Sequence, residues 1–301
     1  MPRISFQERS ETMGLRDIGN ECFQYDDQIG SVIYKHLQSK DLIDIPLYGI
    51  FTKPPVENTE FKYAGYVSDL YQFEGNEVMN QKIRDSILEV GTPIFREYIY
   101  LNQPQRTRMS NEILIQNCTN IPQVGDIYPQ IVVKNTYDGS GAREFLFGFS
   151  VLEDVNTRLF GFGFKNKIGN IRQVHNMHAR TSFSTPIGQY VETFSNSILQ
   201  IIEVNFNTEI SEEHLLSVFD MLEQVGKKRR NDVSSYVTEI IKETNNRVNA
   251  WTLFLAITFF STIEKNINIK SLLEDIAEKV LVIPVEIQSV LSTLNRSSNN
   301  E

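Results

Sequence analysis

From Ile127 the chain alternates apolar and polar positions with a period of two. IYPQIVV (Ile127–Val133) leads into a turn at Tyr137–Gly141, and Glu144–Val151 then places Phe145, Phe147, Phe149 and Val151 on one face. LEDVNT forms a polar turn. RLFGFGFK returns with Phe160, Phe162 and Phe164 on one face and Gly161 and Gly163 on the other, where a neighbouring element approaches closely. The pattern predicts a three-stranded antiparallel meander. Upstream, Leu47–Thr52 reads as a strand ended by Lys53-Pro54-Pro55, and the loosely alternating aromatics of Tyr63–Phe73 as more strand. FREYIYL and EILIQN are strands with NQPQRTRMSN as the loop between them. Asn76–Gly91 carries Met79, Ile83 and Ile87 at helical spacing, with Gly91 as C-cap. Residues 1–30 are polar with scattered Gly and Asp and show little periodicity.

After about Phe183 the period becomes helical. PIGQYVETFSNSILQIIEVNF is long and amphipathic. SEEHLLSVFDMLEQVG opens with Ser211 as N-cap and two glutamates in its first turn, carries Leu215, Val218, Phe219 and Leu222 on one stripe, and ends at Gly226. DVSSYVTEIIKETNN follows, then RVNAWTLFLAITFFSTIEKN, apolar nearly all round and so the central buried helix, with Trp251 in the core. IKSLLEDIAEKVL and PVEIQSVLSTLN close the chain, the second with Pro284 near its first turn. The fold class expected is α+β: an N-terminal and central antiparallel β-meander with a C-terminal helical bundle. The divisions are a mixed part over 1–183, a helical part over 184–295 and a frayed tail over 296–301. With no repeat or linker between them, the two parts are expected to pack as one unit.

Composition narrows the function classes. The chain has 301 residues, 41% hydrophobic and 22% charged, within the globular range. Its net charge of −9 argues against a general nucleic-acid coat, which needs cations to release phosphate counterions, and predicts no appreciable binding of single-stranded DNA at physiological salt. The same acidity suits docking on a basic partner surface. Cys22 and Cys118 are the two cysteines, without zinc spacing, as in a reduced cytoplasmic protein. The N-terminus lacks an apolar signal core, and Trp251–Ser261 is about half a membrane span. The expectation is a soluble cytoplasmic protein with no cofactor and no membrane partner.

The candidate chemistry is sparse. In YDGSGAREF the loop feeds alternating phenylalanines, a strand, whereas a phosphate-cradling loop opens a helix. Ser140 has no nominated base. Asp138 and Gly139 therefore read as hairpin turn chemistry, with Asp138, Ser140 and Arg143 as candidate contacts at an exposed tip. His175 and His178 form HxxH without a third ligand, so a contact role is favoured over a metal. Lys165, Lys167, Arg172 and Arg180 surround them with positive charge. A second basic run, Lys227, Lys228, Arg229 and Arg230, reads as following a helix C-terminus, where cations complement the dipole. Its alternative role is to contact phosphate or an acidic surface. Adjacent carboxylates such as Asp26-Asp27, Glu153-Asp154 and Glu212-Glu213 diverge on any regular element and make no acid–base pair.

Two segments carry a resemblance. YPQIVVKNTYDGSGA is similar to the N-S-H-D-G-S signature that follows a strand in the phage/plasmid-like protein family. VNAWTLFLAITFF resembles the same family's late helix with its Trp and Ala-Ile-Thr core. Thr136 and Tyr137 replace the Ser and His of the signature, and RLFGFGFKN lacks the family's Cys, so chemistry resting on that His is lost here. The resemblance implies a phage origin. The leading function is then a non-enzymatic phage protein, of the Gabija-inhibitor kind, that binds and inhibits a host antiviral defence complex as a homo-oligomer. The alternative is a single-stranded DNA binding or annealing factor that uses the aromatic meander and nearby cations as a platform. A hydrolase using Asp138 or the histidines ranks last.

Overall fold

The computed structural model describes residues 15–19, 22–27, 30–38, 44–54, 59–101, 107–122, 124–154, 158–160, 170–173, 184–243 and 248–282. Among them the fold is α+β, with two antiparallel sheets and six α-helices. The first sheet has the order β1-β2-β3-β4-β5, from Arg16–Gly19, Cys22–Asp27, Gly30–Gln38, Asp44–Lys53 and Lys62–Ser68. The second runs β11-β10-β9-β7-β6, from Arg158–Phe160, Arg143–Asp154, Gly125–Thr136, Arg108–Ile115 and Ile94–Leu101. Two short strands complete it: β8 (Thr119–Ile121) pairs β9, and β12 (Asn170–Gln173) pairs β10. Helix α1 (Asn76–Glu89) joins the sheets. Helices α2 (Ser184–Asn207), α3 (Glu212–Leu222), α4 (Lys227–Glu243), α5 (Ala250–Ile263) and α6 (Ile267–Val280) form the C-terminal region. No helix among the described residues is long and apolar enough to cross a membrane.

The phenylalanine strand sits at the centre. β10 lies between β9 and β11, and Phe145, Phe147, Phe149 and Val151 share one core with Ile131 and Val133 of β9. Met79, Ile83 and Ile87 of α1 and the apolar faces of α2, α5 and α6 close the same cluster. Trp251 is buried in it, stacked on Phe149 at 5.8 Å. Tyr190 of α2 donates its hydroxyl to the Gly148 carbonyl and accepts from the Gln130 amide, which ties the long helix to the sheet backbone. The glycines and phenylalanines expected beyond Phe160 lie outside the described residues.

Three expectations need correction. Within the weakly periodic residues 1–30, Cys22–Asp27 is a strand, because Phe23 and Tyr25 alternate with Gln24 and Asp26 across from Val32 and Tyr34. The loop between FREYIYL and EILIQN is shorter than expected, since Arg108–Asn111 already pairs with β6 and β9. Strand β5 stops at Ser68, and Tyr71 and Phe73 leave the strand to fill the first sheet's core.

The hairpin at Tyr137–Gly141 joins the two sheets. Tyr137 leaves β9 and enters the first sheet's aromatic core, 5.2 Å from Phe73. Its hydroxyl accepts from the Asn76 amide at 2.8 Å. That bond satisfies one orphan amide of α1, whose N-cap, Gly75, has no capping side chain. Gly139 adopts φ +68°, and a Cβ there would lie 2.9 Å from Val67 Cγ1 of β5. Left-handed backbone and close approach both require glycine. Gly139→Ala is expected to cost about 1–2 kcal/mol from the backbone conformation alone. Urea denaturation checks this, and an unchanged midpoint would show that the tip does not bear on β5.

Candidate functional site

Where the hairpin meets β5, a cleft of about 660 Å³ opens. Its walls come from distant stretches of chain: Tyr63 and Ala64 of β5, Leu101 closing β6, Thr107 and Arg108 opening β7, Asp138 of the hairpin, and Glu264–Asn268 between α5 and α6. The strand–turn geometry places Asp138 there. Tyr137 N donates to the Thr107 carbonyl at 2.7 Å, which fixes the hairpin base beside β7.

Both carboxylates of the cleft are engaged within the protein. Asp138 Oδ1 accepts from the Ser140 amide at 2.9 Å and from the Ser140 hydroxyl. Oδ2 accepts from Thr107 Oγ1 at 2.8 Å, with Arg108 Nε 3.8 Å away. This is an Asx turn braced from the neighbouring strand. Glu264 accepts from Arg229 Nε at 2.5 Å and from the Asn266 amide at 2.8 Å. Burial works against its charge, but the hydrogen bonds, Arg229's first, outweigh it and hold the carboxyl below its ordinary range. Asn266 caps α6 by accepting from the Asn268 amide at 3.0 Å. Lys265 is exposed at this corner, and the Tyr63 side chain stands 59% exposed at the opposite rim.

The nominated residues that the structure describes do not converge. Asp138 lines the cleft, and Ser140 is the exposed residue that completes its turn. Arg143 is 3% exposed and paired with Glu74, which Lys82 also engages, so Arg143 is an interior residue and not part of an exposed tip. Arg172 lies on β12 opposite Glu144. Lys165, Lys167, His175 and His178, with Arg180, lie outside the described residues. The four-cation run follows a helix end, the 3-10 turn Glu223–Val225 and Gly226 at φ +99°, but it also forms the first turn of the next helix, α4. The helix dipole opposes cations there. Compensation comes from Arg229 to Glu264 and from Arg230 to Glu223 and Asp220, while Lys227 and Lys228 stay exposed.

Among the described residues no group of three or more His, Cys, Asp or Glu is placed to hold a metal. Phe145, Phe147 and Phe149 are at most 4% exposed, so these three rings of the meander are core and offer no stacking surface. Sequence reasoning missed Tyr63, Arg108 and Lys265. Only Tyr63 carried a signal, as an aromatic in a loosely alternating stretch. Compared with protein-family models, with curated proteins and with solved structures, the chain finds no match.

Proposed function

We propose that this chain is a non-enzymatic binding protein of phage origin that inhibits a host antiviral defence complex by protein–protein contact, working as a homo-oligomer. The cleft beside Asp138 would hold the partner. One observation carries the reading. The rim offers exposed Tyr63, with Tyr66 60% exposed beside it, over walls whose carboxylates are already saturated by Thr107, Ser140 and Arg229. A partner group entering it meets an aromatic anchor, Arg108 and Lys265 without first breaking an unpaired acid's hydration. Tyr and Arg are the residue types that dominate binding hot spots. The net charge of −9 favours a partner whose surface is basic beyond this rim, where the chain's acidic residues outnumber its cations. The resemblance of YPQIVVKNTYDGSGA and VNAWTLFLAITFF to the phage/plasmid-like family supplies the biological setting.

The test is a bacterial strain protected from phage by one cloned defence system, Gabija first. Expression of the wild-type chain should lift protection. Tyr63→Ala with Lys265→Glu should restore it by at least tenfold in plating efficiency, with an unchanged thermal melt. Light scattering should report a multimer. Protection untouched by the wild-type chain, or lifted equally by the double variant, would remove the cleft from this role.

A further inference from the structure

Among the described residues, one face of the first sheet is covered and the other is not. Leu15, Tyr71, Phe73 and Tyr137 pack against the face bearing Phe23, Val32, Tyr34, Tyr48, Ile50 and Val67. The strand register fixes what stands on the other. Ile33, Phe51 and Tyr63 form one cross-strand row, Lys35, Gly49 and Tyr66 a second, and Ser31 and Lys53 a third. Phe51 and Tyr63 lie edge to face at 5.6 Å. A Cβ on Gly49 would lie 3.4 Å from Phe51 Cε2, so the Phe51 ring lies over the bare backbone of that glycine. Tyr63 and Tyr66, at 59% and 60% exposed, continue the aromatic surface to the β5 edge.

Charge on this face runs against the molecule's. Arg16, Lys35 and Lys53 stand there with Asp26 as the one carboxylate among the described residues, because Asp17 pairs with Phe23 and so shares the covered face. Arg16 holds Asp26 at 3.3 Å, and Gln24 donates to both of its oxygens. Lys35, exposed, and Lys53, half-buried with its Nζ 5.8 Å from the centroid of the Phe61 ring, flank the rings. The net charge of −9 argued against nucleic acid for the molecule as a whole, but this face is locally positive.

We propose that the outer face of the first sheet is a binding platform for single-stranded nucleic acid. Bases stack on Phe51, Tyr63 and Tyr66, and phosphates sit at Lys35 and Lys53. Flat aromatics on adjacent strands accept any base because every base presents a π-face, and flanking lysines follow the backbone. A duplex would keep its bases from the rings. A basic protein partner would be repelled by the lysines, and an acidic peptide would leave the rings without stacking partners. The platform shares Tyr63 and Tyr66 with the cleft rim, so Phe51→Leu, Lys35→Ala and Lys53→Ala, which leave the cleft residues unaltered, are the variants that separate the two sites.

The experiment is fluorescence anisotropy with labelled oligo(dT) and oligo(U) of about 12 nucleotides, a length within known single-strand site sizes. At roughly 50 mM salt the wild-type chain should bind at least one of them with Kd between about 1 and 100 µM, and duplex more weakly. The two oligomers separate DNA from RNA, and preference for either supports the platform. Phe51→Leu and Tyr66→Leu should each weaken binding about tenfold, since stacking contributes roughly 5- to 150-fold per base. The leucines keep apolar volume, and a thermal melt confirms folding. The salt slope should be about −1.4 for two phosphate contacts, falling to about −0.7 in Lys35→Ala or Lys53→Ala. No binding at low salt overturns the proposal. So does binding indifferent to Phe51→Leu and Tyr66→Leu but lost in Lys227→Glu/Lys228→Glu, which would move the site to α4. A fall in oligomeric mass caused by Tyr66→Leu would make the face a contact between copies and overturn it equally.

Discussion

Trp251→Ala is expected to destabilise the protein by about 3–5 kcal/mol in urea denaturation, a large share of the 5–15 kcal/mol typical of a folded domain. Trp251 is 1% exposed on α5, stacked on Phe149 of β10 and Phe206 of α2 and tilted against Phe254 of its own helix. Removing it empties the meeting point of the central strand and two helices, and those rings belong to elements too firmly packed to collapse into the space. Trp251→Phe should behave differently. The indole Nε1 is buried without a hydrogen-bond partner among the described residues, so the smaller ring sheds an unsatisfied donor while keeping the stack. A loss of about 1–2 kcal/mol is expected for Phe. Equal losses for the two variants would mean that indole shape, and not aromatic packing, fixes this junction.

Trp251 also shows what the sequence could tell. A helix apolar on every side has to be interior, and a strand with phenylalanine at every second position has to turn that face toward something. Both elements were legible because burial is one-sided or complete. β2 and β3 were harder to see because their inward residues alternate with Gln24, Asp26 and Lys35 on a face left uncovered among the described residues. The opening of β7 was hidden for another reason. Asn111 is fully buried in a strand, held by a 2.5 Å bond to Glu97, which Arg84 of α1 also grips. A buried polar residue whose amide nitrogen is held by a distant carboxylate looks in sequence like a loop. The basic run at Lys227 misled in turn because Gly226 ends one helix and a second starts at once.

The cleft was illegible as a unit, since β5, β7, the hairpin and the α5–α6 corner are far apart in the chain. Its central residue was visible. Asp138 and Gly139 were read as turn chemistry, and the structure adds what the turn does: Tyr137 locks into the first sheet while Asp138 braces the cleft wall. The open sheet face was invisible for a topological reason. Phe51, Tyr63 and Tyr66 become one surface only when β4 pairs β5 in the observed register.

A buried charge network behind the cleft gives the second large effect. Lys270, on the first turn of α6, places Nζ 3.0 Å from Glu112 Oε1 of β7 and 4.0 Å from Glu274, and lies 4.6 Å from the centroid of the Tyr100 ring. All three charged side chains are 7% exposed, and Ser261 Oγ donates to Glu274 at 3.2 Å. Lys270→Met is expected to cost about 3–5 kcal/mol at pH 7, because it strands two buried carboxylates without their cation. The loss should depend on pH in a defined direction. Burial raises the carboxyl of Glu112, and Lys270 opposes that rise. A raised folded pKa means that the native state holds its proton more tightly than the unfolded chain. Its stabilising contribution is therefore complete below the ordinary carboxylate value of about 4.3 and fades as pH climbs through the raised one. Removing Lys270 raises Glu112 further, so the gap between Lys270→Met and wild type should be small near pH 4.5 and widen toward pH 7. In wild type the lysine's own raised pKa keeps its contribution intact until alkaline pH. Glu112→Gln/Lys270→Met should recover at least about 1 kcal/mol relative to the single Lys270→Met variant, the coupling expected of contacting charges. Urea midpoints at three pH values decide it: a gap constant from pH 4.5 to 7 would mean that Lys270 stabilises by packing over Tyr100 and not by charge. Ile267 and Asn268, at the start of the same helix, wall the cleft, so this network also sets how firmly that wall stands.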